Sequence, residues 1–278
     1  MATAVSARDA LDGAVTAIAA AGSPSARLDA ELLLAAALGV ERERLYTDRD
    51  LAVGGAAVRT FQSFVRRRSI LREPVAYIVG RRGFRHLELI VDPAVLIPRP
   101  ETELLVEVAV EVAPAGGRVL DVCTGSGAVA LALADERPDL VVVGSDISGP
   151  ALAVARTNGA RLHLDVDWRE ADLIAAVPVP FDLIVANPPY VETAVLAGLE
   201  PEVSRHEPRL ALDGGADGLA LIRRLIEEAA DSGAPLLALE IGAGQAPAVS
   251  ALLSAAGFGG LERRVDLAGI ERVLVGAR

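Results

Sequence analysis

The densest chemistry in the chain lies in one short stretch. Phe181-Asp182-Leu183-Ile184-Val185-Ala186 reads as a buried strand and leads straight into Asn187-Pro188-Pro189-Tyr190. Two consecutive prolines stiffen the turn and remove two N–H donors, so its edge offers only acceptors. The Asn187 side-chain carbonyl and the Pro188 backbone carbonyl can together receive both hydrogens of a planar –NH2 group. Such a nitrogen is a poor nucleophile because its lone pair is delocalised. Accepting both hydrogens draws it toward tetrahedral geometry and concentrates the lone pair in the remaining direction. Positioning and electrostatic preorganisation then suffice for group transfer without a strong general base. Tyr190 adds a ring face for a planar acceptor. The plainer reading is a rigid proline turn, but this tetrapeptide at a strand end is rare by chance. Asn187, Pro188, Pro189 and Tyr190 are the candidate catalytic residues.

A second segment, from Val119 to Ala130, reads as a strand ending in Asp121-Val122, a turn Cys123-Thr124-Gly125-Ser126-Gly127, and the start of a helix. Gly125 and Gly127 let the backbone turn tightly and approach a ligand with no Cβ in the way. The helix start offers unpaired N–H groups. Taken alone, the Gly-x-Gly-x-x-Ala pattern also fits a dinucleotide fingerprint. The neighbouring acids narrow the choice. Asp146 closes the next strand, where a carboxylate can accept both ribose hydroxyls of an adenosine. Asp121 is awkward beneath a pyrophosphate but suits a ligand carrying an ammonium and a sulfonium. Asp172, followed by Leu173 after a third strand, can take an adenine amino group. Each acid alone could be a helix cap or a turn former; three at successive strand ends favour S-adenosylmethionine over a nicotinamide cofactor. The candidate cofactor-binding residues are Asp121, Cys123, Thr124, Gly125, Ser126, Gly127, Asp146, Asp172, Leu173 and Asn187.

The elements that must position these residues follow from periodicity. The first seventy or so residues look entirely helical. Leu11, Ala14, Val15 and Ile18 share one helix face; after Gly22-Ser23-Pro24-Ser25, a second helix places Leu28, Leu32, Leu33 and Ala36 on one side; a third, from about Ala56 to Ile70, turns Phe61, Phe64 and Val65 inward. Between Phe84 and Val91 the period changes to two, with Leu87, Leu89 and Val91 on one face, which predicts a strand in a hairpin between two domains. From Ile97 onward, apolar runs at Arg118–Val122, Leu140–Gly144, Phe181–Ala186 and Pro235–Ile241 alternate with helical patterns, the signature of a parallel sheet covered on both faces. The tail, Leu261–Val265 and Glu271–Val275, predicts two strands with no helix between them. That combination is a doubly wound α/β fold ending in an antiparallel hairpin.

Composition excludes several classes. The chain has 278 residues, 27 basic side chains that are all Arg, 38 acids and a net charge of −11. Its aromatic residues are one Trp, three Tyr and five Phe, too few for a protein that stacks bases, and its charge has the wrong sign for one that grips phosphates. Charge divides unevenly: 13 Arg face 11 acids in residues 1–96, against 14 Arg and 27 acids beyond. Seven of the Arg (66, 67, 68, 72, 81, 82 and 85) form a cluster that is either a solvated helix end or a docking surface for an acidic or RNA-containing partner. Cys123 is the only cysteine, and His86, His163 and His206 are far apart, so neither a disulfide nor a metal site is expected. The Ala-rich run Gly13–Gly22 follows Asp9 and Asp12 and is not expected to be a secretory signal; no apolar stretch reaches a membrane span of roughly 18 residues. The expected compartment is the reducing cytoplasm. Nothing in the sequence fixes an oligomeric state.

Four segments occur together in an order that resembles the HemK-type glutamine N5-methyltransferases, in particular the branch acting on peptide chain release factors. They are Ile97-Pro98-Arg99-Pro100-Glu101-Thr102-Glu103, Asp121–Gly127, Asn187–Tyr190, and the stretch from His206-Glu207-Pro208-Arg209 through Gly218-Leu219. The resemblance runs from about Leu28 through Glu240-Ile241-Gly242 to the C-terminus. Asn-Pro-Pro-Tyr alone is shared with adenine and other amino methyltransferases; the first and last segments are far more restricted. The resemblance implies a class I (Rossmann-like) methyltransferase domain over 97–278, an all-helical substrate-recognition domain over 1–80 and a hairpin linker over 81–96. It implies methyl transfer from S-adenosylmethionine to the glutamine of the Gly-Gly-Gln motif in class I release factors. Direct nucleic-acid substrates and membranes are not expected. A ribosomal-protein glutamine and the N6 amine of adenine remain the alternative acceptors. Cys123 stands where the family often has Gly, and Leu173 where an aromatic or other apolar residue follows an Asp. The loop from Val191 to Leu219 is left open as one that orders alone or on binding.

Overall fold

The structure is a computed structural model and describes residues 5–48, 51–175, 177–178 and 180–278. The N-terminal elements are β1 (Val5–Ser6), α1 (Ala7–Ala20), α2 (Ala26–Leu38), α3 (Arg44–Thr47), β2 (Ala52–Val53), α4 (Gly55–Ser69) and α5 (Val75–Val79). Next come β3 (Arg81–Phe84), β4 (Leu87–Ile90), α6 (Glu103–Val112), β5 (Arg118–Val122), α7 (Ala128–Glu136), β6 (Val141–Asp146), α8 (Gly149–Leu162), β7 (Asp167–Glu170) and β8 (Leu183–Ala186). The chain ends with α9 (Pro201–His206), α10 (Ala220–Ser232), β9 (Leu236–Glu240), α11 (Ala246–Ala255), β10 (Gly259–Val265) and β11 (Glu271–Ala277). Two compact units result: Met1–Gly80 with Glu200–His206, and Arg81–Leu199 with Glu207–Arg278.

The first unit is helical around one apolar cluster that includes Leu11, Ile18, Leu33, Leu34, Phe61 and Ile78. Ser6 caps α1 by accepting from the Asp9 N–H at 3.1 Å. The expectation of helices alone fails at one point, where β1 and β2 pair antiparallel, Val5 opposite Val53. The expected face of α2 holds only in part. Leu33 is buried as expected, but Leu28 and Leu32 are exposed, and Asp29, Ala30 and Leu34 are buried in their place. Polar partners turn the helix: Asp29 accepts from Ser23 at 2.8 Å, Ser25 at 2.9 Å and the Arg68 Nε at 2.7 Å.

That network also takes up part of the Arg cluster. Arg68 is buried between Asp29 and Glu202, and Arg72 makes a two-pronged pair with Glu202 at 2.8 Å. Burial works against the Glu202 charge, but the Arg72 and Arg68 hydrogen bonds outweigh it and bring the carboxyl down to about 2. Arg67 pairs with Glu73, Arg81 with Glu88, and Arg85 with Glu136 and Glu107. Five of the seven Arg are therefore paired with acids of the chain, while Arg66 and Arg81 are exposed, so the cluster as a whole is not a free basic patch.

The second unit is built on a seven-stranded sheet in the order β10-β11-β9-β8-β5-β6-β7. Strands β5 to β9 run parallel; β11 is antiparallel to both β9 and β10. Side chains alternate between two cores. Leu120, Val122, Ile184, Leu237 and Leu239 face one, while Val119, Leu183, Val185 and Ala238 face the other. The predicted hairpin is β3 paired with β4, with Leu87, Leu89 and Val91 buried as expected, and it belongs to this unit. The chain leaves β5 toward β6 and β7, then returns to place β8 on the other side. The β5–β8 boundary is therefore the topological switch point, where sheets of this kind bind ligands outside their carboxyl ends. The segment 191–219 carries two short 3-10 turns besides α9 and is tied by a bridge between Val191 and Asp213. Among the described residues no helix is long and apolar enough to cross a membrane.

Candidate active site

The carboxyl ends of the parallel strands border a cleft of about 280 Å³. Of the residues singled out in the sequence, Cys123, Gly125, Asp146, Asp172, Leu173, Asn187 and Pro189 line it. The turn after β5 is locked from within. Thr124 N–H donates to the Ser145 carbonyl at 2.9 Å, and Gly127 N–H to the Thr124 carbonyl at 2.8 Å. Gly125 and Gly127 both have positive φ, as tight turns require; so does Cys123, at +60°, a position where a side chain carries strain. Burial and the surrounding carboxylates raise the Cys123 thiol, so it stays protonated.

The acids divide into different roles. Asp146 accepts from the Gly125 N–H and the Ser148 N–H, both at 2.9 Å, and burial raises its carboxyl despite those bonds. It thus braces the turn while bordering the cleft. Asp172 sits at the exposed rim, ion-paired to Arg224 at 2.9 Å. Asp121 departs from its expected place. It is buried beneath the turn, where its Oδ2 accepts from the Thr124 hydroxyl at 2.5 Å and the Ala130 N–H at 3.1 Å. Burial pushes its carboxyl up to about 7 against these two bonds. Thr124 and Ser126 are likewise buried, Ser126 through its carbonyl, which accepts from Asn158 at 3.0 Å. They shape the turn and do not line the cleft.

The Asn-Pro-Pro-Tyr turn follows β8 directly, as the pattern predicts. Asn187 donates through Nδ2 to the Thr102 hydroxyl at 3.0 Å, which leaves its carbonyl oxygen as the available acceptor. Pro188 is buried, and the half-buried Tyr190 gives its hydroxyl to Glu240 Oε1 at 3.3 Å. Burial, and then the Glu240 charge, raise the Tyr190 phenol. Gln245 ties the turn from behind: its Nε2 donates to the Tyr190 carbonyl at 3.1 Å, and its Oε1 accepts from the Gly242 N–H at 2.8 Å. At Gly218, φ +71°, a Cβ would lie 2.4 Å from the Tyr190 carbonyl oxygen, so only glycine lets this loop close on the turn.

The two restricted sequence segments meet here. Arg99, from the first, pairs with buried Glu207, from the last, at 2.5 Å. Pro208, Leu210 and Ala211 then form a wall of the cleft. Thr102, Glu240, Gln245 and Arg224 were not found from the sequence. Thr102 and Glu207 lay inside segments marked only as unusual, with no spacing rule assigning a role. Glu240 had one available signal, an acid ending an apolar strand as Asp121 does.

The residues fit an adenosine-bearing cation such as S-adenosylmethionine. Asp146 offers a carboxylate at the second strand end; Ile147, Leu173 and Leu221 supply apolar walls; and Asp172 is an acceptor at the rim. Acceptors dominate this donor set and, among the described residues, no basic side chain other than paired Arg224 borders the cleft, which suits a positive ligand better than a pyrophosphate.

Comparison with known proteins agrees with this architecture. A model for the PrmC N-terminal domain matches residues 9–80, and one for the Methyltransferase small domain matches residues 100–199. The release factor glutamine methyltransferase of Geobacter sulfurreducens is 42% identical over 262 residues, covering 93% of this chain and 92% of its own. That of Caulobacter vibrioides is 42% identical over 269 residues, covering 93% and 91%. Among solved structures, the hMettl16 catalytic domain in complex with the MAT2A 3'UTR hairpin 6 aligns with a TM-score of 0.56. It covers 80% of this chain and 81% of its own at 13% identity, a likeness of fold.

Proposed function

This chain belongs to the release factor glutamine methyltransferase family, and on that premise we propose that it methylates the side-chain amide nitrogen of the glutamine in the Gly-Gly-Gln motif of class I peptide chain release factors. The observation that carries the reading is the Asn187 amide. Its NH2 is committed to Thr102, so its carbonyl oxygen is free at the mouth of the switch point. With the Pro188 carbonyl beside it, Asn187 accepts the two hydrogens of the substrate amide and holds the nitrogen with its lone pair directed away from both.

S-adenosylmethionine supplies, when bound, a methyl group made electrophilic by a positive sulfur. Asp146 would hold its ribose, Leu173 and Ile147 its adenine faces, and the Cys123–Gly125 backbone its amino-acid end. Asp121 acts beneath the turn, fixing the Thr124 and Ala130 positions. The walls from Val95, Leu96, Pro208 and Leu210 limit water at the reacting nitrogen. We place the enzyme in the cytoplasm with its release factor substrate.

Purified class I release factor incubated with the protein and isotopically labelled S-adenosylmethionine tests this by mass spectrometry. A single labelled methyl on the Gly-Gly-Gln glutamine is expected. Label on a ribosomal protein or on adenine, with none on the release factor, would keep the clamp and reject the substrate.

A further inference from the structure

Asn158, on α8, is completely buried and does not line the cleft. Its amide nonetheless bonds to two separate stretches of backbone. Oδ1 accepts from the Ile90 N–H at 2.7 Å, and Nδ2 donates to the Ile90 carbonyl and to the Ser126 carbonyl, each at 3.0 Å. The bonds to Ile90 pair the side chain with the last residue of β4 much as a neighbouring strand would. The bond to Ser126 reaches the turn after β5.

Both stretches lead to the cleft. Beyond Ile90 the chain is short and stiff. Val91 is buried, Pro93 fixes its own φ, and Asp92 accepts from the Ala94 N–H at 2.8 Å through Oδ1 and from the Val95 N–H at 3.1 Å through its carbonyl. Ala94, Val95 and Leu96 then border the cleft. In the turn, the peptide between Ser126 and Gly127 is held at both ends, its carbonyl by Asn158 and its N–H by the Thr124 carbonyl at 2.8 Å. Cys123 and Gly125 of the same turn border the cleft. A Cβ at Gly127 would lie 2.8 Å from the Trp168 ring, so the turn already rests on the indole.

We propose that Asn158 is a positioning residue for the cofactor: its one amide fixes the Cys123–Gly127 turn relative to the Ala94–Leu96 wall, and so sets the opening that receives S-adenosylmethionine. The inference rests on the reading of this cleft as the S-adenosylmethionine site and is independent of which nitrogen accepts the methyl group. The task suits an asparagine, whose amide carries two donor hydrogens and an acceptor on a short stem. A carboxylate of the same shape keeps the Ile90 N–H bond but sets an oxygen against two buried carbonyls. The Ile90 and Ser126 backbones then lose their common tie.

The test titrates the full-length protein with S-adenosylhomocysteine, which carries no transferable methyl, by calorimetry. Asn158→Asp is expected to weaken binding about tenfold or more. The release factor KM at saturating S-adenosylmethionine should stay within about twofold, since the Asn158 bonds go to Ile90 and Ser126 and not to the Asn187–Tyr190 turn. Leu253→Ala, which opens the core at α11, controls for stability; it is expected to lower Tm and leave binding within about twofold. Wild-type affinity in a folded Asn158→Asp protein overturns the proposal. So does an equal loss in the two variants, which would make Asn158 merely structural. If Asn158→Asp does not fold, hydrogen exchange in the wild type decides. Ile90 does not line the cleft, yet its N–H ends on Asn158, so S-adenosylhomocysteine is expected to slow its exchange about fivefold or more beyond any slowing of the Val249 N–H in α11. Equal slowing overturns the proposal. A wild type that binds no S-adenosylhomocysteine removes the cofactor reading and this proposal together; binding that Asn158→Asp leaves intact removes the proposal alone.

Discussion

Asp146 combines two demands that are usually separate. It accepts two backbone N–H groups, from Gly125 and Ser148, and still borders the cleft. Its loss should therefore cost the ligand a charged hydrogen-bond acceptor and also loosen the turn. Asp146→Ala is expected to weaken S-adenosylmethionine binding by about 1.5–3 kcal/mol, read by calorimetry; unchanged affinity would remove it from the site. Where a residue type and a strand end coincide, as at Asp146 and Asn187, the sequence pointed to residues that line the cleft. Asp121 satisfied the same rule and lies elsewhere, because a carboxylate at the end of β5 can serve the turn above it as readily as a ligand. Spacing cannot distinguish these, since both uses need the same residue at the same place. Thr102 and Glu240 were illegible for a different reason. Their contacts with Asn187 and Tyr190 are made across 85 and 50 residues of chain.

At the scale of elements, periodicity located β5, β8 and β9 well and the tail strands closely, because a strand buried on both faces leaves an uninterrupted apolar run. It misjudged α2, where Asp29 and Glu31 are buried and Leu28 and Leu32 are not. Hydrophobic periodicity assumes that charge faces water, and the Ser23–Asp29–Arg68 network breaks that assumption by pairing charge inside. The stretch around Gly218 has no periodic signal, yet it is held closely against the Asn-Pro-Pro-Tyr turn by Gln245 and the absent side chain of Gly218. Gly218→Ala must either move the Tyr190 carbonyl or open the loop, in a backbone conformation that disfavours any Cβ. We expect kcat to fall about tenfold or more, from misplacement of the acceptor turn, with cofactor affinity largely kept. Wild-type turnover would show that the loop does not hold the turn in place.

At the scale of the whole molecule, the distribution of buried acids shapes the response to pH. Asp121 and Glu240 both rise from ordinary carboxylate values to about 7 on folding, through burial. The folded protein then holds protons that the unfolded chain has released. The stability these two groups contribute is fully present below their unfolded values, near 4, and is lost as pH rises through 7. Urea unfolding followed by the fluorescence of Trp168, the only tryptophan, which is partly buried against the core of the second unit, should show a midpoint that falls between pH 5 and pH 8. The combined Asp121→Asn, Glu240→Gln protein should lose most of that slope. A slope that survives intact would assign it to the general acidity of the chain, whose net charge is −11.

The most direct test of the central claim is single-turnover methyl transfer to release factor by Asn187→Ala, with S-adenosylmethionine affinity measured on the same protein. If Asn187 accepts the substrate amide hydrogens, the rate of the chemical step should fall by about a hundredfold or more while cofactor affinity stays near that of the wild type. Transfer at the wild-type rate would contradict the account.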